Sequence, residues 1–84
     1  MLYWYQIVKH HQERDIMEHR HIIASIFHSR GFNTEVRDNA VIVSLGKRAV
    51  SQSSVMIVLW DEEVPTDDLY VERWYNGSIK ISAN

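Results

Sequence analysis

The sequence predicts a small single α+β domain, 1–84, built on a mainly antiparallel sheet of four to five strands with a long helix on one face. Three observations predict it. Apolar residues recur with helical period in the first half and alternate with a period of two elsewhere. Two short turn signals, Asp38-Asn39 and Asn76-Gly77, each stand between β-rich runs. At 84 residues the chain has room for one core only. A domain of this size buries roughly 60 to 65% of its unfolded surface. With no cysteine, no disulfide can staple it. The material for a core is present, since 45% of residues are hydrophobic and 11% aromatic.

Leu2 to Val8 is aromatic and β-branched and reads as a strand. Both of its faces are largely apolar, which suits an interior strand covered on two sides. From about His11 to Arg30 the period becomes helical. Ile16, Ile23 and Phe27 share a face that Ile22 and Ile26 widen, while Arg14, Glu18, His21, Ser25 and His28 fall opposite. Gly31 suits the left-handed position after the helix, with Phe32 returning onto Phe27. Phe32 to Arg37 and Ala40 to Leu45 form a hairpin around Asp38-Asn39, two residues that tolerate positive φ. Leu69 to Tyr75 and Ser78 to Ser82 form another around Asn76-Gly77.

Segment 51–60 reads two ways. Six consecutive apolar residues, Val55 to Trp60, suit a buried strand. Ser51 as an N-cap, with Val50 and Val55 placed for a hydrophobic staple, favours a helix. With the helix the order becomes β-α-β-β-α-β-β, a split βαβ, ferredoxin-like plan with an additional C-terminal strand. In either form the segment is apolar all round, and self-association, as a homodimer, is the expected way to cover it.

Charge is unevenly spread. Residues 1–50 carry seven Lys/Arg and five Asp/Glu, a balance of +2, whereas 51–84 carry two and six, a balance of −4. The longest run free of charge and histidine, Ala49 to Trp60, has twelve residues. That is short of the ~20 needed to span a bilayer. The N-terminus shows no signal-peptide pattern, and a cytoplasmic location is expected.

Few residues group for catalysis. The chain lacks cysteine, a G-x-S-x-G turn and a P-loop. Its carboxylate pairs fall in a loop around Pro65. His11, Asp15 and His19 stand at i, i+4 and i+8, a spacing that lets either histidine share a metal with Asp15. The outer two are ~12 Å apart along the axis, so one ion does not join all three. Neither an enzyme nor a cofactor or metal protein is expected.

The most distinctive feature is acidic. Between Asp61 and Asp68 five of eight residues are acidic: Asp61, Glu62, Glu63, Asp67 and Asp68. Trp60, Tyr70, Trp74 and Tyr75 flank this stretch, and such aromatics dominate binding hot spots. The expected function is a small non-enzymatic protein-binding module. Its acidic loop with Tyr70 and Trp74 would be the partner surface, and its role that of a regulator or inhibitor of the kind phages and mobile elements encode. The alternative is a nucleic-acid-binding module with a ferredoxin-like sheet, using Tyr3 and Tyr5 for stacking and Lys47 and Arg48 for phosphates. Against it, the strand that would carry the RNP1 aromatics, 39–46, has none.

Overall fold

The computed structural model describes residues 19–67 and 69–83. They form two helices and four strands in the order α1 (Arg20–Ser29), β1 (Asn33–Arg37), β2 (Ala40–Ser44), α2 (Gln52–Asp61), β3 (Leu69–Arg73) and β4 (Ile79–Ala83). All three strand pairings are antiparallel and the sheet order is β1-β2-β4-β3. The described residues therefore make two consecutive α-β-β units, joined by the β2–β4 ladder at the centre of the sheet. Exchanging one unit for the other leaves the strand order unchanged, so the topology has an internal two-fold.

This order replaces the ferredoxin-like one. A split βαβ needs the chain's first strand beside β2, between it and the strand after the second helix. That position is held by β4, whose two edges are already bonded to β2 and β3. The short Asn76-Gly77 connection makes β4 the immediate neighbour of β3. The helix expected from about 11 to 30 begins instead at Arg20, with His19 as its N-cap; the expected strand 2–8 and residues 11–18 lie outside the described residues.

The segment 51–60 is helical. Ser51 has extended backbone, and its Oγ accepts the Ser54 N–H at 3.1 Å. Val50 and Val55 both enter the core, as the staple predicts. A strand here would have left this cap without a purpose.

The core lies between the helices and one face of the sheet. Val41 and Val43 on β2 stand opposite Ile81 and Ile79 on β4. Onto them pack Ile23 and Phe27 from α1 and Val55, Val58 and Leu59 from α2. Val36, Leu69 and Val71 extend this face outward on the two flanking strands. Each of the largest buried side chains removes enough apolar area to contribute roughly 1.5–3 kcal/mol.

Both helices close in the same way. After α1, Phe32 N–H donates to the Phe27 carbonyl at 3.1 Å and Gly31 N–H to that of His28 at 3.0 Å. Gly31 has φ +93°, and the rings of Phe27 and Phe32 meet edge to face at 5.5 Å. After α2, Val64 N–H donates to Leu59 at 2.8 Å and Glu63 N–H to Trp60 at 3.0 Å. This is the same paired closure, but the left-handed residue is Glu63, at φ +59°.

The hairpins differ from expectation in two details: β3 ends at Arg73 and β4 begins at Ile79, so Tyr75 and Ser78 belong to the connection, where Tyr75–Gly77 form a 3-10 turn; and the two turns differ in backbone. Asn76 and Gly77 do take positive φ, +57° and +75°. Asp38 and Asn39 close a two-residue turn between Arg37 and Ala40 without either of them doing so. No helix among the described residues is long and apolar enough to cross a membrane.

Candidate functional site

Two regions at opposite ends of β3 carry exposed aromatics and dense charge. The first is the end of α2. Val55, Val58 and Leu59 point into the core, which sends Ile57 and Trp60 to the opposite side of the helix. These two are 59% and 60% exposed. They stand three residues apart and so are neighbours on one helix face. From Ser51 to Trp60 the helix carries no charge. Then Asp61, Glu62 and Glu63 follow at once. A helix C-terminus is the negative end of the peptide dipole, so three acids there are in an unfavourable place. Arg30, the C-cap of α1, offsets part of this. Its Nη2 reaches Asp61 Oδ2 at 2.5 Å and Glu62 Oε2 at 2.8 Å. These hydrogen bonds also hold its guanidinium above its ordinary pKa.

Glu63 breaks a second local rule, because a side chain in the left-handed region costs roughly 1–2 kcal/mol relative to glycine. Asp67 is exposed in the following loop; Asp68 lies outside the described residues. Thus Asp61, Glu62, Glu63 and Asp67 are brought to one end of the domain, beside Trp60 rather than Trp74. Tyr70, near the start of β3, is 52% exposed on the sheet face away from the helices. Trp74 is separated from Tyr70 by four residues of extended chain, about 14 Å.

The second region surrounds Trp74. Its indole sits under Lys80, with Nζ 4.5 Å from the ring centroid, and meets Tyr75 edge to face at 4.9 Å. Tyr75 is 73% exposed. Its backbone is fixed by Ser78, whose N–H and Oγ both donate to the Tyr75 carbonyl. The β2–α2 loop packs on this turn: Val50 N–H donates to the Gly77 carbonyl at 2.8 Å. A Cβ on Gly77 would stand 3.0 Å from Ala49 Cα, so glycine is required there by space as well as by φ. Trp74 lines two open clefts. One, of ≈ 420 Å³, includes Ala49, Ser51 and Arg73. The other, of ≈ 300 Å³, includes Glu35, Arg37, Ile42 and Tyr75.

Lys47 and Arg48 lie in the loop that approaches this end. Tyr3 and Tyr5, the stacking residues of the nucleic-acid alternative, lie outside the described residues. So do His11 and Asp15 of the histidine spacing; among the described residues no three His, Asp or Glu side chains stand close enough to share a metal ion.

Sequence reasoning named Trp60 only as a flank of the acidic stretch and did not single out Ile57. The available signal was the surplus of apolar residues on α2, since a helix with one buried side cannot hide all of Val55 to Trp60. No family model matches the chain, and neither the curated proteins nor the solved structures include a significant match to it.

Proposed function

We propose that the protein is a small, non-enzymatic binding module for another protein, and that the outward stripe of α2 with the acidic turn after it is the contact surface. The observation that carries this reading is the pair Ile57 and Trp60, both more than half exposed and one helical turn apart beside a cluster of acids. Large apolar side chains ringed by charge are the usual anatomy of a binding hot spot. The acids sit against the helix dipole and one of them occupies a left-handed backbone position. Local rules broken together are a mark of a site kept for function rather than stability. The complementary partner has an apolar pocket rimmed by Lys and Arg.

In this reading the module is a regulator or inhibitor of the kind phages and mobile elements encode, docking on a basic groove of its target. In the absence of the partner the same uncharged stripe pairs with a second copy as a homodimer. Steering by the acidic turn makes association with the target salt-dependent.

The test is affinity capture with the tagged full chain from lysate of source cells, with and without nuclease. Three proteins are compared: the parent, Ile57→Ser with Trp60→Ala, and Asp61→Asn with Glu62→Gln. A stoichiometric protein that survives nuclease and disappears with the apolar double variant supports the reading. Equal capture by all three proteins overturns it. Sedimentation velocity over a micromolar range tests the dimer, which the apolar double variant should abolish.

A further inference from the structure

The end of the sheet around Trp74 is chemically unlike the acidic end, and the proposed protein-binding surface makes no use of it. Four cations from three separate stretches of chain lie at or beside it, and a fifth, Arg37, whose row in the sheet is that of Tyr70 at the other end, reaches the smaller cleft with its side chain. Arg37 lines the smaller cleft and Arg73 the larger. Lys80 lies over Trp74. Lys47 and Arg48 adjoin Gly46 and Ala49, which line one cleft each. The acids nearby are Glu35, bonded to Arg37 at 2.7 Å, and Glu72, paired across the ladder with Lys80. The region therefore carries an excess of positive charge on a chain whose net charge is −2.

At its centre Tyr75 offers an open ring that is already held in place. The two bonds from Ser78 fix its backbone, and the edge contact with Trp74 orients its ring before any ligand arrives. A fixed, exposed aromatic ring among cations is the arrangement that stacks a base and tracks a backbone of phosphates, with little preference for sequence.

We propose that this end of the sheet binds single-stranded nucleic acid, with Tyr75 as the stacking platform and Lys47, Arg48 and Arg73 as principal phosphate contacts. An acidic peptide would satisfy the cations but would leave the ring without a stacking partner. The acidic turn at the far end of β3 repels the same polymer and so orients it on the basic end.

The experiment is fluorescence anisotropy of labelled 20-mers of dT and dA with the full-length protein, across a salt series. With about three phosphates neutralised, log K should fall with log salt at a slope of about −2. Tyr75→Ala should weaken binding about tenfold, whereas Tyr75→Phe, which keeps the ring, should restore it. Lys47→Glu with Arg48→Glu should also weaken binding at least tenfold and flatten the slope by more than one. Ser25→Ala, on the exposed face of α1 and outside both surfaces, should change nothing. The proposal is overturned if neither oligonucleotide binds at 50 mM salt, if Tyr75→Phe fails like Tyr75→Ala, or if polyglutamate competes as well as the oligonucleotide. That last result would assign the site to acidic peptides.

Discussion

The two α-β-β units are built to one plan and finished differently. Each helix ends in the same pair of backbone hydrogen bonds, and each then returns an apolar residue onto its own last turn. The first unit uses Gly31 for the left-handed step and covers it with the Phe27–Phe32 ring contact. The second uses Glu63 and the smaller Leu59–Val64 pair. The first helix presents polar residues such as His21, Ser25 and His28 outward, while the second presents Ile57 and Trp60. At the C-terminal closure and along the outward helix face the first unit follows local preference and the second departs from it, whereas at the N-terminus only the second, through Ser51, has a side-chain cap. The closure is therefore set by hydrogen-bond geometry and hydrophobic return, with glycine an aid that can be given up where a charge is wanted.

Substitutions test how far the two units are alike. The largest effect is expected in the core, where the units should behave alike. Phe27→Ala should destabilise by about 3–5 kcal/mol and Leu59→Ala by about 2–5 kcal/mol, read from urea midpoints at unchanged m. A much smaller loss for Leu59 would show that the second unit is loosely attached. Next come the left-handed positions, where the signs should be opposite. Gly31→Ala should cost about 1 kcal/mol and Glu63→Gly should gain up to about 1 kcal/mol, both visible as shifts of Tm. Loss of stability in Glu63→Gly would mean that the glutamate side chain contributes more than its backbone costs. Ser51→Ala should cost about 1 kcal/mol by removing the α2 cap.

The smallest effect concerns the link between the units. Arg30→Met should lower the urea midpoint only slightly, because its ion pairs with Asp61 and Glu62 are solvent-exposed. The difference from the parent should shrink further at high salt.

What the sequence disclosed divides by range. Interactions that close within a few residues were legible: the Ser51 cap, the Gly31 and Phe32 return, the Asn76-Gly77 turn. Each depends on side-chain chemistry at fixed offsets. The strand order was not legible, because the choice of neighbour for β2 is a competition between segments far apart in the chain. Nothing in Ile79 or Ile81 announces that β4 takes the central place. The turn at Asp38-Asn39 was located correctly from composition, yet its backbone did not take the positive φ those residues permit.

For the candidate surfaces the same limit applied. The acidic run was visible as a run. That it lies against Trp60, and that Trp74 belongs to the basic end, follows only once β3 is laid out straight between them. The apolar surplus of α2 was readable as an amount, but which two side chains it would leave in solvent depended on where the sheet lay.

The internal two-fold also bears on how the chain folds in time. Within each unit every partner is near in sequence, so the helix and hairpin can assemble quickly and without the other. The β2–β4 ladder is different, because it joins segments that the whole of α2 and β3 separate. Closing that interval costs chain entropy before any of its bonds form. The ladder is therefore expected to mature after the hairpins, and substitutions at Val41 or Ile81 that spare the folded contacts least should mostly speed unfolding rather than slow folding. Two quick local events and one slower meeting between them is the kinetic signature that this strand order writes into the chain.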